Sequence, residues 1–270
     1  MAKQTNREKL KKTFREKLLK QVHELNSAVA TKTSDWIIKG FIDIARNIYT
    51  ISADTKVISK VMELLLFPKI CDIAQENSLR IVLSKEQNSY PDITFIDHKD
   101  NKYALDLKST YRRNAKRVNG MTLGAFTGYF RNRSSRKNIT FPYEDYTGHF
   151  VLGVIYSRAK VPSDERQMYN LEELQNITSV VRDFSFFVQE KYKIAADRPG
   201  SGNTKNIGSV TKIDDLINGK GPFSNLGEDF FDDYWMYYLT KDMAKGVDLD
   251  KPPYKNLEEY RRYKRLCARK

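Results

Sequence analysis

Between His149 and Tyr156 the chain reads His-Phe-Val-Leu-Gly-Val-Ile-Tyr, with no charged side chain and no alternation of polar and apolar positions. An apolar run of strand length leaves no face for water, so it belongs inside a sheet with cover on both sides. The cover has to be helical, which makes the chain α/β, a central sheet flanked by helices. With 270 residues, 40% of them apolar and 12% aromatic, there is ample material for such a core and no case for wholesale disorder. We read one domain over 1–270, with 1–47 as a basic helical extension to which no role is assigned.

The other elements follow from spacing. Leu10, Phe14, Leu18, Val22 and Leu25 recur at helical intervals and predict an amphipathic helix over Lys9 to about Asn26, followed by a polar connection from Ser27 to Ser34. Val57, Val61, Leu64 and Leu65 mark a second helix, capped by Asp54 and bent or ended by Pro68, with Glu63 inside it. Asp92-Ile-Thr-Phe-Ile96 and Tyr103-Ala-Leu-Asp-Leu107, joined by the polar residues 97–102, predict a β-hairpin. Phe184 to Val188 is a further short apolar run, and the aromatics from Phe230 to Tyr238 predict a helix that packs into the core.

Forty-seven Lys and Arg stand against 34 Asp and Glu, a formal charge of +13. The excess is clustered, with eight cations in residues 3–20, four between Arg131 and Lys137, and six between Arg261 and Lys270. Such clusters favour a polyanion, and nucleic acid over a membrane surface, because the N-terminal stripe can equally dock on the protein's own body. No apolar run reaches the length of a membrane span, and the basic start lacks the apolar segment of a signal peptide. Cys71 and Cys267 make neither a disulfide framework nor a metal-ligand pair, so a reducing, cytoplasmic setting is expected. His23, His98 and His149 are scattered and carry no ligand spacing.

The residues that carry chemistry lie on the predicted hairpin. Asp92 closes Tyr90-Pro91-Asp92, thirteen residues separate it from Asp106, and Lys108 follows two positions later. On a strand, Asp106 and Lys108 share one face while Leu105 and Leu107 take the other. A hairpin brings Asp92 beside Asp106, and two carboxylates that close repel unless a cation lies between them. Hard oxygen ligands of this kind suit Mg²⁺, which takes one or two carboxylates and keeps several waters. A phosphodiester uses all three groups: the metal neutralises phosphoryl charge and activates water, and Lys108 stabilises developing negative charge. The expected reaction is phosphodiester hydrolysis. Nearby, Glu86-Gln87-Asn88-Ser89 forms a polar loop able to reach a DNA groove, and Pro199 to Gly208 supplies three glycines with Ser201, Asn203 and Thr204 for close backbone approach and base-edge hydrogen bonds. That glycine-rich stretch is not a nucleotide-binding P-loop, since no Gly-Lys-Ser/Thr follows.

With these words the chain resembles the EcoRV-like type II restriction endonucleases of the PD-(D/E)xK superfamily. The resemblance rests on Ser52-Ala-Asp-Thr-Lys-Val-Ile-Ser59, Gln87-Asn-Ser-Tyr-Pro-Asp92, Leu105-Asp-Leu-Lys-Ser-Thr-Tyr111, Thr122-Leu-Gly-Ala-Phe-Thr127, and Gly200-Ser-Gly-Asn-Thr204 with Asn206-Ile-Gly-Ser209. It implies a restriction-endonuclease-like central mixed sheet and a homodimer that cuts both strands of double-stranded DNA with Mg²⁺. The implied target is GATATC, cut bluntly at its centre, with a companion methyltransferase for the same site. It further implies that Asp92 and Asp106 bind the metal, that Lys108 is the catalytic lysine, and that Glu63 is an auxiliary acidic ligand. The loop around Gln87 and Asn88 would follow the minor groove. Gly200, Ser201, Gly202, Asn203, Thr204, Lys205 and Asn206 would read the major groove, with Thr122 and Lys137 completing the DNA-contacting set. Two departures stand out: Lys205 replaces a threonine of the family loop, and there is little likeness before about Ile48. A structure-selective nuclease such as a junction resolvase, and a DNA-binding protein that does not cut, are the alternatives.

Overall fold

In a computed structural model of the chain, residues 2–84, 86, 88–159, 167–200 and 204–267 are described. In chain order the elements are α1 (Ala2–Val29), β1 (Gly40–Ile42), β2 (Ile48–Thr50), α2 (Thr55–Glu76), β3 (Arg80–Leu83), β4 (Ile93–Ile96), β5 (Lys102–Asn114), β6 (Arg117–Val118) and β7 (Thr122–Ala125). They continue with β8 (Tyr146–Arg158), β9 (Met168–Tyr169), β10 (Val181–Glu190), α3 (Lys191–Ile194), β11 (Ala195–Pro199), β12 (Asn206–Ser209), α4 (Ile213–Asn218), α5 (Glu228–Met236), α6 (Lys241–Lys245) and α7 (Leu257–Cys267).

The central sheet has the order β10-β8-β5-β4-β3, with β6 paired to the far end of β5. It is mixed: β5 and β8 run parallel, and the other neighbours are antiparallel. The apolar run that opened the argument forms β8, buried from Gly148 to Tyr156 and paired on both edges. The expected hairpin is β4–β5, with Ile93 opposite Leu105 and Ile96 opposite Lys102. Asp97 builds its turn, accepting from Lys99 N at 2.8 Å and Asn101 N at 3.0 Å. Two smaller sheets, β1-β2-β9 and β11-β12-β7, flank it.

Each face of the central sheet has its own core. On one, α1 and α2 cover Phe95, Tyr103, Leu105, Phe150 and Leu152; Phe14 of α1 stacks on Tyr103 with ring centroids 4.3 Å apart. On the other, α5, α7 and the segments around β7 and β12 bury Ala104, Val151, Ile155, Trp235 and a dense set of tyrosines. The helix expected over Phe230 to Tyr238 is α5, and its Phe231, Tyr234 and Trp235 are buried. Among the described residues no helix is long and apolar enough to cross a membrane.

Asp54 caps α2 through its Oδ1, which accepts from Lys56 N at 2.8 Å and Val57 N at 3.2 Å. Asp54→Ala is expected to cost about 1 kcal/mol of stability, read as a lower denaturant midpoint at unchanged slope. Of the bend or end expected at Pro68, the end does not occur: the helix runs eight residues further, to Glu76. Ile58, Met62, Leu66, Ile70 and Ile73 keep one buried stripe through the proline, while Pro68 itself is exposed. The carbonyl it deprives of a partner belongs to the exposed Leu64, where water can replace the missing bond.

The N-terminal helix is also longer than its pattern indicated, and several of its cations are turned to the protein's own body. Lys11 is 1% exposed and pairs with Glu190 at 2.9 Å and Glu228 at 3.1 Å. Arg7 Nε donates to the Thr147 carbonyl at 2.8 Å and Arg15 Nε to that of Val188 at 2.9 Å. Half of the cluster at 131–137 is likewise internal: Arg133 pairs with Asp232 at 2.8 Å and lies over the Tyr143 ring, and Arg131 donates to the Tyr238 carbonyl. The charge excess therefore overstates the surface available to a polyanion.

Candidate active site

Asp106 lies in the middle of β5, held between β4 and β8, and is 3% exposed. Lys108 follows on the same face, away from Leu105. Asp92 immediately precedes β4, so the hairpin register that sets Ile93 opposite Leu105 places it beside Asp106. Its backbone N–H donates to Asp106 Oδ1 at 3.4 Å, and its own Oδ2 accepts from Leu107 N at 2.7 Å. Lys108 Nζ bridges the two acids, 3.4 Å from Asp92 Oδ2 and 3.3 Å from Asp106 Oδ2.

The electrostatics follow from this crowding. Burial and the neighbouring Asp106 carboxylate push the Asp92 carboxyl above its ordinary range. Burial alone would lower the Lys108 ammonium, but Asp106 and Asp92 outweigh it and hold Lys108 above its ordinary value. Lys108 is therefore a cation at neutral pH, suited to stabilising negative charge and not to accepting a proton.

The three side chains form the floor of an open cleft of about 560 Å³. Its walls come from Asn88 and Ser89, from the segment Gly124 to Tyr129, from Asn132 to Asn138 including Lys137, and from Asn206. Around it, Phe126 N donates to the Lys205 carbonyl at 3.0 Å and Gly200 N to that of Asn206 at 3.0 Å, tying β11, β12 and β7 into one wall. Thr122 packs so closely on Gly200 that a Cβ there would meet its methyl at 2.8 Å. Lys205 is exposed and Thr204 half-buried. Gln87, Ser201, Gly202 and Asn203 lie outside the described residues.

Glu63 is not drawn into the acid pair. It sits on α2, ion-paired to Lys60 at 3.0 Å, and lines a second cleft that shares Asp92 as a wall. One turn earlier on the same helix face, Ser59 hydrogen-bonds Ser109 of β5 at 2.6 Å, so α2 lies against the middle of β5, beside Lys108. Among the described residues no group of three Asp, Glu, His or Cys side chains converges as a metal cluster; the converging donors are the two aspartates.

No local pattern of residues announces the aromatic cage behind the cleft floor. Tyr90 Oη bonds His149 Nδ1 at 2.8 Å, both buried, and Lys191 is buried beside them. Burial and the adjacent Lys191 hold the His149 imidazole well below its ordinary pKa, so it is neutral.

A mixed sheet clothed by helices, with two aspartates and a lysine gathered where the hairpin meets the cleft, is the restriction-endonuclease-like PD-(D/E)xK class of fold. Residues 32–265 match the family model described as restriction endonuclease EcoRV. The chain is 34% identical over 243 residues to the type II restriction enzyme EcoRV of Escherichia coli, covering 89% of this chain and 96% of that protein. Among solved structures it is similar to the NlaIV restriction endonuclease, with a TM-score of 0.38 at 12% identity over 88% of this chain and 89% of that one. The chain belongs to the EcoRV family of type II restriction endonucleases. The matched region begins after α1.

Proposed function

We propose that this chain, acting as one endonuclease unit over 1–270, hydrolyses both strands of double-stranded DNA at GATATC, bluntly at the centre, leaving 5′-phosphate ends. The observation that carries the reading is the convergence of Asp92, Asp106 and Lys108 within 3.4 Å on the floor of the cleft. Asp92 and Asp106 are adjacent hard oxygen donors, and burial together with the Asp106 charge raises the Asp92 carboxyl. That donor set fits Mg²⁺, which accepts two carboxylates and fills its other positions with water. When bound there, the ion supplies charge neutralisation at the phosphoryl oxygens and acidifies water.

The chain's own residues do the rest. Lys108 holds its ammonium where negative charge develops on the phosphate. Leu107 N–H orients the Asp92 carboxylate. Glu63, lining with Asp92 the second cleft beside α2, serves as the auxiliary acid. Gln87 and Asn88 follow the minor groove, while Gly200 to Asn206, braced by Thr122, read base edges in the major groove and Lys137 contacts phosphate. A palindrome cut symmetrically calls for two equivalent sites, hence a two-fold homodimer. The enzyme works in the cytoplasm, where a companion methyltransferase protects the host's copies of the site.

Plasmid DNA incubated with and without Mg²⁺, followed by sequencing of the ends, tests this. Discrete blunt ends centred on GATATC support it. Ends at another palindrome move the specificity and implicate Lys205; a smear, or a gel shift with no cutting, overturns site-specific cleavage. Asn203→Ala is expected to reduce discrimination against altered sites by about 10- to 100-fold, measured as the ratio of cleavage rates on cognate and single-substitution duplexes. An unchanged ratio removes the loop from readout.

A further inference from the structure

Behind the cleft floor lies a cation that the roles above do not use. Lys191 opens α3 at the end of β10 and is 2% exposed. Among the described residues no ion pair reaches its ammonium, whose hydrogen bond goes to Tyr90 Oη at 3.5 Å. The same Nζ lies 4.5 Å from the centroid of the Tyr90 ring and 5.5 Å from that of Tyr143. Gly124 closes the cage from the cleft side: a Cβ there would stand 3.7 Å from Nζ and 3.3 Å from Tyr129 Oη. Burying an ammonium among aromatic rings, without a contacting carboxylate, is costly. Burial brings Lys191 down to about 8, and the strongest opposing influence is Asp106.

What the cage grips is the residue that leads into Asp92. Tyr90 is fixed at its backbone, N–H to the Asn138 carbonyl at 3.0 Å and its own carbonyl to Thr140 N at 2.9 Å. Its ring stacks on Tyr129 at 5.2 Å, and its hydroxyl lies between His149 and Lys191. Lys191 donates to Tyr90 Oη, which leaves the tyrosine proton for the unprotonated Nδ1 of neutral His149.

We propose that Lys191 is a positioning residue for cleavage: its ammonium clamps Tyr90, and through Tyr90-Pro91-Asp92 sets the Asp92 carboxylate against Asp106 while placing a fixed positive charge behind the acid pair. This rests on the reading of those acids as the metal-binding pair. Groups that orient metal ligands from behind typically change metal affinity or activity by about 10- to 100-fold.

The test compares wild type, Lys191→Met, Tyr90→Phe and the double variant in three measurements: thermal unfolding, affinity for a GATATC duplex without divalent metal, and single-turnover cleavage across a Mg²⁺ series. Lys191→Met removes the charge at similar volume, so the unfolding temperature and duplex affinity should hold. The cleavage rate should fall, or the half-saturating Mg²⁺ rise, by about 10- to 100-fold. Tyr90→Phe should show a smaller loss of the same kind, and the double variant should be no worse than Lys191→Met alone, because the lysine acts through the tyrosine. Wild-type rates and Mg²⁺ dependence in folded Lys191→Met overturn the proposal, as do fully additive losses. If Lys191→Met does not fold, Tyr90→Phe decides: an unaltered Mg²⁺ dependence overturns it. Wild-type protein that never cuts counts against the nuclease reading and takes this inference with it.

Discussion

Asp92→Ala and Asp106→Ala are each expected to abolish DNA cleavage while leaving duplex binding measurable. In the proposed mechanism the carboxylates would hold the ion that neutralises the phosphoryl group, an effect worth several kcal/mol in the transition state, so the loss should be about 10³-fold or more. The residues proposed to contact DNA stand on other segments, Asn88, Lys137 and Asn206 among the cleft walls, so affinity has no reason to collapse with turnover. The two variants should differ in stability. Asp92→Ala leaves the Asp106–Lys108 pair at 3.3 Å in place, whereas Asp106→Ala empties the more deeply buried position and leaves Lys108 with Asp92 alone. Single-turnover cleavage beside a gel-shift titration separates the cases, and retained turnover in either variant contradicts the proposed site.

The second large effect concerns folding. Lys11 is a buried cation shared by Glu190 and Glu228, and Lys11→Ala leaves Glu190 with Lys193 and, among the described residues, Glu228 with only the half-exposed Arg7. Removing one partner from a buried ionic cluster costs roughly 3–5 kcal/mol. At about 2–4 °C per kcal/mol for a chain approaching this size, the melting temperature should drop by roughly 10 °C. Glu190 keeps Lys193 as a second partner and sits below the ordinary carboxylate range, held down by Lys11 and Lys193 against its burial. Glu228 sits above it, because burial outweighs Lys11 and Arg7. Lys11→Ala with Glu228→Gln should therefore recover much of the loss. Thermal unfolding of the single and double variants checks this; a melting temperature unchanged by Lys11→Ala would show that α1 is held by Phe14, Leu18 and Leu25 alone.

These two regions also show how far the amino-acid sequence could be read. The hairpin and its acid pair were legible because period-two alternation, a polar turn and the Asp-x-Lys spacing are all local. A register one residue away would have put Asp106 on the Leu105 face. Strand β8 was legible for the same reason, and Asp54 announced itself as a cap by its position before an apolar helical stripe. Lys11 was not legible. In a run of eight cations it looks like its neighbours, and one of its partners, Glu228, lies 217 residues away. Lys191 was hidden in the same way, since its cage is assembled from Tyr90, Gly124, Tyr143 and His149 on four separate segments. Pro68 misled because a local rule for backbone hydrogen bonding lost to a buried stripe that continues on both sides of it.

The central claim is that Asp92 and Asp106 hold the divalent ion used for cleavage. Its most direct test is the anomalous difference density of Mn²⁺ in crystals of the protein with a GATATC duplex. A peak bonded to an oxygen of each aspartate, lost in Asp92→Ala and Asp106→Ala crystals, is the predicted result. A peak seated elsewhere, or none at this pair in protein that still cuts with Mn²⁺ in solution, would contradict it.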